Sequence, residues 1–81
     1  MIKARVHVTL KPGVLDPQGK AVQHALGSLG FSGVDQVRQG KYIEIDLQET
    51  DAESARGHVD EMCKKLLANM VIEDYSIDIS D

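Results

Sequence analysis

The chain has 81 residues, 13 acidic against 9 basic side chains and a formal net charge of −4, with one cysteine and an aromatic content of 4%. An acidic chain gains nothing from neutralising phosphates, and so few aromatic rings offer little for base stacking, so nucleic acid is not expected as a partner. No apolar run approaches the roughly 20 residues that span a bilayer, and an unpaired thiol suits a reducing compartment, so we expect a cytoplasmic location and no membrane contact.

The length of the chain fits one domain, residues 1–81, with a thin hydrophobic core. A chain this short buries only about 60–65% of the surface that it exposes when unfolded. Such domains usually need a disulfide, a metal or another chain for stability, and one cysteine cannot form an internal disulfide. Size alone therefore favours association with other protein chains.

The first elements along the chain are a half-buried strand and a helix. In residues 2–10, apolar and polar side chains alternate strictly, which is typical of a strand with one buried face. A proline–glycine pair then interrupts this strand. Asp16 and Pro17 predict a helix start, with aspartate as the N-cap and proline at the first helical position. Gly30 suits a left-handed helix terminus.

The middle of the chain predicts a β-hairpin. Residues 34–39 and 42–47 read as two short strands, and the second of them alternates apolar and acidic or amide side chains. Gly40 and Lys41, between the two runs, are expected to form the tight turn.

A second helix and a final strand complete the predicted elements. Thr50 and Glu53 have the spacing of a capping box, which marks a helix N-terminus. An apolar stripe at helical spacing follows, formed by Ala52, Ala55, Val59, Met62, Cys63, Leu66, Leu67 and Met70. Residues 74–79 alternate again and predict the last strand.

The predicted order is β-α-β-β-α-β, which places the chain in the α+β class. Two right-handed strand–helix–strand crossovers put both helices on one face of an antiparallel sheet, in a ferredoxin-like arrangement. Short strands leave unpaired edges, so we expect the sheet to continue into a second copy in a dimer. The opposite sheet face is polar and carries Lys3, Arg5, His7, Glu44 and Asp46.

The sequence offers no constellation for catalysis or metal binding. Its three histidines lie on three different predicted elements and lack metal-ligand spacing. Cys63 falls on the apolar stripe of the second helix, where a thiol is buried and inert. The glycines form no phosphate-binding loop. We therefore predict no catalytic residue, no cofactor-binding residue and no metal ligand in this chain.

Three segments carry a resemblance to a known family. Residues 8–19, which read VTLKPGVLDPQG, resemble the opening signature of the PurS family, and residues 37–44 resemble its hairpin motif. Residues 63–69 and 71–75 are similar to the family's closing helix–strand junction. Met70 stands where many members of the family have proline. This difference takes no functional group away from the chain. The resemblance spans essentially the whole chain, in register.

The resemblance implies a small subunit of phosphoribosylformylglycinamidine (FGAM) synthase, part of a ligase complex and not catalytic on its own. PurS proteins join the PurL synthetase and the PurQ glutaminase, and the complex makes FGAM from formylglycinamide ribonucleotide, glutamine and ATP in de novo purine synthesis. The family implies that PurS bridges PurL and PurQ and assists ammonia transfer, with ATP and Mg bound by PurL. It also implies homodimers that can pair into tetramers.

Nine residues are candidates for partner contacts on the strength of this resemblance. Most have an ordinary structural explanation as well, because turn residues, helix caps and solvated charges are common. Arginine and tyrosine are enriched at interface hot spots, which singles out the hairpin pair. The candidates are Lys11, Pro12, Gly13, Asp16, Gly19, Arg38, Lys41, Tyr42 and Asn69.

One alternative function comes from another class. Regulatory modules of the ACT-like type share this predicted topology, dimerise and bind small ligands, so a ligand-binding regulatory domain remains the competing hypothesis. Free amino acids or nucleotides would stabilise such a module against heat, whereas a scaffold subunit would be unaffected.

Overall fold

The computed structural model describes residues 1–80. In that part of the chain the elements follow the order β-α-β-α-β. A short π-helical turn, Cys63–Leu67, continues the second helix. The elements are β1 (Ile2–Leu10), α1 (Pro17–Ser28), β2 (Gly40–Leu47), α2 (Ala52–Met62) and β3 (Glu73–Ser80).

The strands of the described residues form an antiparallel sheet in the order β2-β1-β3. Val6, at the centre of β1, lies opposite Ile43 of β2 and Ile77 of β3. Because side chains alternate along each strand, this register gathers the apolar positions of all the strands on one face. The predicted alternation of the first and last strands is confirmed.

The hydrophobic core lies between this face and α2, which packs on β1 and β3. Two polar contacts join α2 to β3: the Tyr75 hydroxyl donates to the Asp60 carboxylate, and Arg56 Nη1 donates to the Ile77 carbonyl over 3.1 Å. The bond to Asp60, followed by burial, raises the pKa of Tyr75 to about 12. The buried core cluster comprises Ala4, Val6, Val8, Val59, Cys63 and Ala68.

The N-terminus of α2 differs by one residue from the prediction. Asp51 is the N-cap, and its carboxylate accepts the Ser54 backbone N–H over 3.1 Å. Thr50 therefore lies outside the helix, and the predicted capping box with Glu53 is wrong. Aspartate and threonine are both favourable N-cap residues, so the sequence alone hardly distinguishes which of the two adjacent residues begins the helix.

α1 begins and ends as predicted but projects from the rest of the molecule. Asp16 caps it, Pro17 is its first residue, and Gly30 beyond its end has φ +97°. Within residues 1–80, α1 makes almost no contact with the sheet or with α2, and the chain measures 48 × 26 × 15 Å. We call residues 17–39, which comprise α1 and the segment returning from it, the arm.

The predicted strand over residues 34–39 is not formed. Side chains of α1 and its N-cap satisfy the backbone of this segment instead of a neighbouring strand. Gln23 Nε2 donates to the carbonyls of Val34 and Asp35 over 3.2 and 3.0 Å, and the Asp16 carboxylate accepts the Gln39 N–H over 2.9 Å. A backbone with its polar groups paired in this way does not need a sheet partner.

The predicted hairpin turn at Gly40 and Lys41 is likewise wrong, because both residues belong to β2. Gly40 lies opposite Thr9, and a Cβ there would collide with the Val8 carbonyl oxygen. The glycine serves close strand approach rather than a turn.

The α+β class, with an antiparallel sheet and two helices, is confirmed. Residues 1–80 form three strands instead of the predicted four. Of the two helices expected on one face of the sheet, only α2 packs there. No helix within residues 1–80 is both long and apolar enough to cross a membrane.

Candidate interaction surface

Five of the nine predicted interaction residues line one cleft. The cleft, of about 620 Å³, lies between the loop that follows β1 and residues 35–38 of the arm. The two are joined by Asp16, whose carboxylate accepts the Gln39 backbone N–H. The predicted residues at this cleft are Lys11, Pro12, Gly13, Asp16 and Arg38.

Asp16 organises this cleft with both carboxylate oxygens. Oδ1 accepts the Gly19 backbone N–H over 2.8 Å, and Oδ2 accepts that of Gln39 over 2.9 Å. These bonds, that from Gln39 foremost, lower the pKa of Asp16, and the nearby Arg38 guanidinium lowers it further. An ionised carboxylate accepts such bonds more strongly, so Asp16 joins the start of α1 to the far end of the arm.

Gly19 lies beneath the same contact and is the buried residue of α1. A Cβ at this position would collide with the Val37 carbonyl oxygen. Close approach of a second backbone therefore explains a glycine in the first turn of a helix, where alanine has the higher helix propensity.

Gln23 is a residue of this surface that the sequence analysis missed. Its side-chain amide holds the carbonyls of Val34 and Asp35, one turn along α1 from Gly19. A glutamine in a helix is ordinarily a solvated residue with good helix propensity, and nothing in its spacing signals a clamp on a distant segment.

Lys11 connects the cleft to β3. Its Nζ lies 2.8 Å from Asp74 Oδ1, and its backbone N–H donates to the Ile72 carbonyl over 2.8 Å. The turn after β1 is thereby fixed to the start of the last strand, and the loop Pro12-Gly13 projects from an anchored base.

Lys41 and Asn69 meet at a second cluster around Glu73. The Asn69 N–H donates to Glu73 Oε1 over 2.7 Å, and Lys41 Nζ lies 3.9 Å from Glu73 Oε2. Asn69 Oδ1 also accepts the Val71 N–H over 3.1 Å. Asn69 therefore shapes the turn between α2 and β3 rather than capping the helix, and Glu73 is a second residue that the sequence analysis missed.

Tyr42 stands apart, on the polar face of the sheet. Its ring centroid lies 4.9 Å from that of His7, and its hydroxyl donates to Glu44 Oε2 over 2.9 Å. Desolvation, followed by this hydrogen bond, raises the pKa of Tyr42. Lys3 lies 3.5 Å from Glu44 and 3.9 Å from Asp46, as expected for oppositely charged neighbours across strands.

Within residues 1–80, the titratable side chains do not converge on a common centre. His58 Nδ1 pairs with Glu49 over 2.9 Å, His7 stacks on Tyr42, and burial raises the pKa of the Cys63 thiol. Among residues 1–80 no three His, Cys, Asp or Glu side chains group in a way that could hold a metal ion. What this surface presents is a set of anchored loops and paired charges suited to protein contact.

Comparisons with known proteins agree on one family. The family model described as "PurS: Phosphoribosylformylglycinamidine (FGAM) synthase" matches residues 3–81. The chain is 54% identical to the phosphoribosylformylglycinamidine synthase subunit PurS of Synechocystis over 76 residues, covering 94% of this chain and 76% of that protein. The ACT-like alternative is not favoured by these matches.

Solved structures match equally well. The crystal structure of PurS from Methanocaldococcus jannaschii superposes with a TM-score of 0.91 at 48% identity, covering 100% of this chain and 98% of that one. A chain in the structure of PurLQS from Thermotoga maritima gives a TM-score of 0.88 at 29% identity, covering 98% and 96%. By sequence along its length and by fold, this chain belongs to the PurS family of FGAM synthase subunits.

Proposed function

We propose that this chain, as a single domain, bridges the PurQ glutaminase and the PurL synthetase of FGAM synthase and assists ammonia transfer between them. The observation that carries the proposal is the match to the PurS family over residues 3–81, together with the same fold in a chain of a PurLQS structure. The chain acts in the cytoplasm and takes part in no chemical step of its own.

The reaction of the complex explains why a bridging subunit is useful. PurQ releases ammonia from glutamine, and PurL, which binds ATP and Mg, uses that ammonia to convert formylglycinamide ribonucleotide into FGAM. Ammonia released into water is diluted and mostly protonated, which removes its nucleophilic lone pair. A subunit that holds the two active sites together keeps ammonia neutral and at high effective concentration.

The anchored loops supply the contacts for this role. Asp16, Gln23 and Lys11 fix the cleft before any partner binds, so little conformational entropy is lost when it is covered. Arg38 at the cleft and Tyr42 on the open sheet face are the contact residues. Arg38→Ala and Tyr42→Ala therefore keep the fold and weaken co-elution with PurL and PurQ, whereas Glu53→Ala, at an exposed position of α2, serves as the control.

The chain also associates with itself. Within residues 1–80, the outer edges of β2 and β3 have no strand partner, and such edges pair readily with further strands. A dimer presents each contact surface twice, so one PurS pair can engage more than one partner subunit.

The deciding experiment measures FGAM formation by the cognate PurL and PurQ, with and without this chain, using either glutamine or ammonia as nitrogen donor. We expect glutamine-dependent turnover to require the chain and ammonia-dependent turnover to proceed without it. Equal glutamine-dependent turnover in its absence would contradict the proposed function. Loss of both reactions would instead assign the chain to the PurL active site.

A further inference from the structure

A groove runs along α1, between that helix and the segment returning from it. Besides the cleft described above, a second cavity of about 580 Å³ lies between α1 and the start of the return segment. Lys20 and Gln23 line both cavities, so the two form one continuous groove from the loop after β1 to Phe31. We call this the arm groove; α1 forms one of its walls and the return segment forms the other.

The arm groove lies on the side of α1 opposite its apolar residues. Successive residues of a helix are rotated by about 100°, which places Val22 and Leu29 together on one face. Lys20 and Gly27, which line the groove, fall on the opposite face. A molecule bound in the groove would therefore leave the apolar face of α1 accessible to other contacts.

The arm groove carries positive charge although the chain as a whole is acidic, with a formal net charge of −4. Three cations face two carboxylates there: Lys11, Lys20 and Arg38 against Asp16 and Asp35. Lys11 pairs with Asp74, and both oxygens of Asp16 already accept backbone N–H groups. Lys20 and Arg38 take part in no ion pair within residues 1–80. Charge complementarity therefore favours an anionic occupant.

The return segment also presents unpaired backbone groups to the groove. Residues 31–39 run without a turn or a bend. Within residues 1–80, no N–H group of residues 35–38 donates to another backbone group. The Gln23 amide holds the carbonyls of Val34 and Asp35, so this stretch is fixed in place before any partner binds. A fixed backbone with unpaired N–H groups is suited to pair with an extended segment of another chain.

Exposed apolar side chains lie at the two ends of the arm groove. Leu15 is 70% exposed at the cleft, and Phe31 is 59% exposed at the other end. α1, which runs between these ends, has 12 residues and is therefore about 18 Å long. An extended chain covers that length with about six residues. Because Lys20 borders both cavities, it faces the middle of such a segment.

We propose that the arm groove binds an extended, acidic segment of a partner subunit, with a carboxylate near its middle and an apolar side chain near each end. The backbone of the segment pairs with residues 35–38, its carboxylate meets Lys20, and its apolar side chains pack on Leu15 and Phe31. A small anion would use the cations alone, whereas the unpaired backbone and the two apolar ends fit a peptide. The proposal rests on the proposed function and specifies which kind of element in PurL or PurQ this chain recognises.

Amide hydrogen exchange with and without each partner subunit tests the backbone pairing. The chain is measured alone and with an excess of PurL or of PurQ, at one chain concentration, so that self-association is the same in every sample. We expect exchange at residues 35–38 to slow at least about tenfold when one of the two subunits is bound, because paired N–H groups are protected. Binding of both subunits with unchanged exchange at residues 35–38 would overturn the proposal.

Charge reversal on α1 gives an independent test. Lys20→Glu should weaken binding of the same subunit at least about tenfold, measured by isothermal titration calorimetry, because it sets two like charges against each other. The variant keeps α1, since glutamate is favourable near a helix N-terminus. Lys65→Glu is the matched control, because the Lys65 side chain is 78% exposed and lines neither cavity.

The outcomes separate the groove from the proposed function. Equal binding by the Lys20→Glu and Lys65→Glu variants would overturn the groove while leaving the bridging role of the chain intact. Failure of the unaltered chain to bind either PurL or PurQ would contradict both.

Discussion

The sheet together with α2, here called the α2 half, and the arm built around α1 are stabilised by different interactions. α2 buries Ala55, Val59 and, at its end, Cys63 completely against the sheet. α1 buries only Gly19, and the arm is kept in shape by hydrogen bonds that the Asp16 carboxylate accepts and the Gln23 amide donates. Apolar burial supplies most of the stability of a domain, whereas polar contacts at a surface mainly fix geometry.

The α2 half therefore supplies most of the stability of the chain, whereas the arm mainly shapes a surface. The α2 half can fold as a small two-layer unit, while the arm is a shaped extension with little buried surface of its own. Segments with few buried contacts open at a lower free energy than the core does. Substitutions in the core of the α2 half should therefore change the free energy of unfolding more than substitutions in the arm do.

The largest expected effect comes from truncating the core of the α2 half. Val59→Ala removes two methyl groups at a fully buried position and should lower the free energy of unfolding by about 2–3 kcal/mol. Urea denaturation followed by circular dichroism measures this. Val71→Ala, at an 81% exposed position, is the control and should change it by less than about 0.5 kcal/mol. Similar values for both would contradict the assigned core.

The next effect compares two glycines of α1. Gly19→Ala drives a methyl group into the Val37 carbonyl and should destabilise by about 1–2 kcal/mol after the gain in helix propensity. Gly27→Ala meets no atom within 4 Å and should stabilise by up to about 1 kcal/mol. Thermal unfolding of both variants checks the sign, and stabilisation by both would show that the arm does not close on Gly19.

A smaller, pH-dependent effect is expected at the arm clamp, the two hydrogen bonds that the Asp16 carboxylate accepts from the backbone N–H groups of Gly19 and Gln39. The pKa of Asp16 is lowered in the folded chain, so the carboxylate adds stability above its unfolded pKa and loses it as the pH falls through the folded value. Asp16→Asn should lower Tm at neutral pH, and the difference should shrink as the pH falls below the unfolded aspartate pKa of about 3.9. Asp35→Asn removes a charge at the same cleft and keeps both clamp bonds, so it is the control. A Tm difference independent of pH would contradict an ionised clamp.

The smallest effect lies in the α2 half, at the exposed pair of His58 and Glu49. The hydrogen bond that His58 donates to Glu49, then the charges of Glu49 and Glu61, raise the pKa of His58. This stabilisation is complete below the unfolded histidine pKa of about 6.5 and is lost as the pH rises through the folded value. Glu49→Gln should therefore lower Tm at about pH 5.5 and leave it unchanged at about pH 9. The opposite pH dependence would contradict the pairing.

Local chemistry made much of the fold predictable. The alternation of β1, the Asp16-Pro17 helix start and the terminal Gly30 each depend on residues adjacent in sequence, and each was correct. Residues 34–39 were mistaken for a strand because their backbone partners are side chains of Asp16 and Gln23, more than ten positions away. No local pattern encodes such a tertiary substitute for strand pairing.

The candidate interaction surface was predictable only in part. The loop residues Lys11 to Gly13 and Arg38 came from the family resemblance, and the structure brings them to one cleft. That they converge depends on the close approach of Gly19 to the Val37 carbonyl oxygen, which no local pattern in the sequence indicates. Gln23 and Glu73 were missed because a helical glutamine and a surface glutamate are ordinarily solvated residues.

Amide hydrogen exchange at low protein concentration tests most directly whether the α2 half supplies most of the stability of the chain. At low concentration, where the chain is monomeric, we expect rapid exchange in α1 and strong protection in β1 and α2. Protection of α1 equal to that of α2 under these conditions would contradict this account.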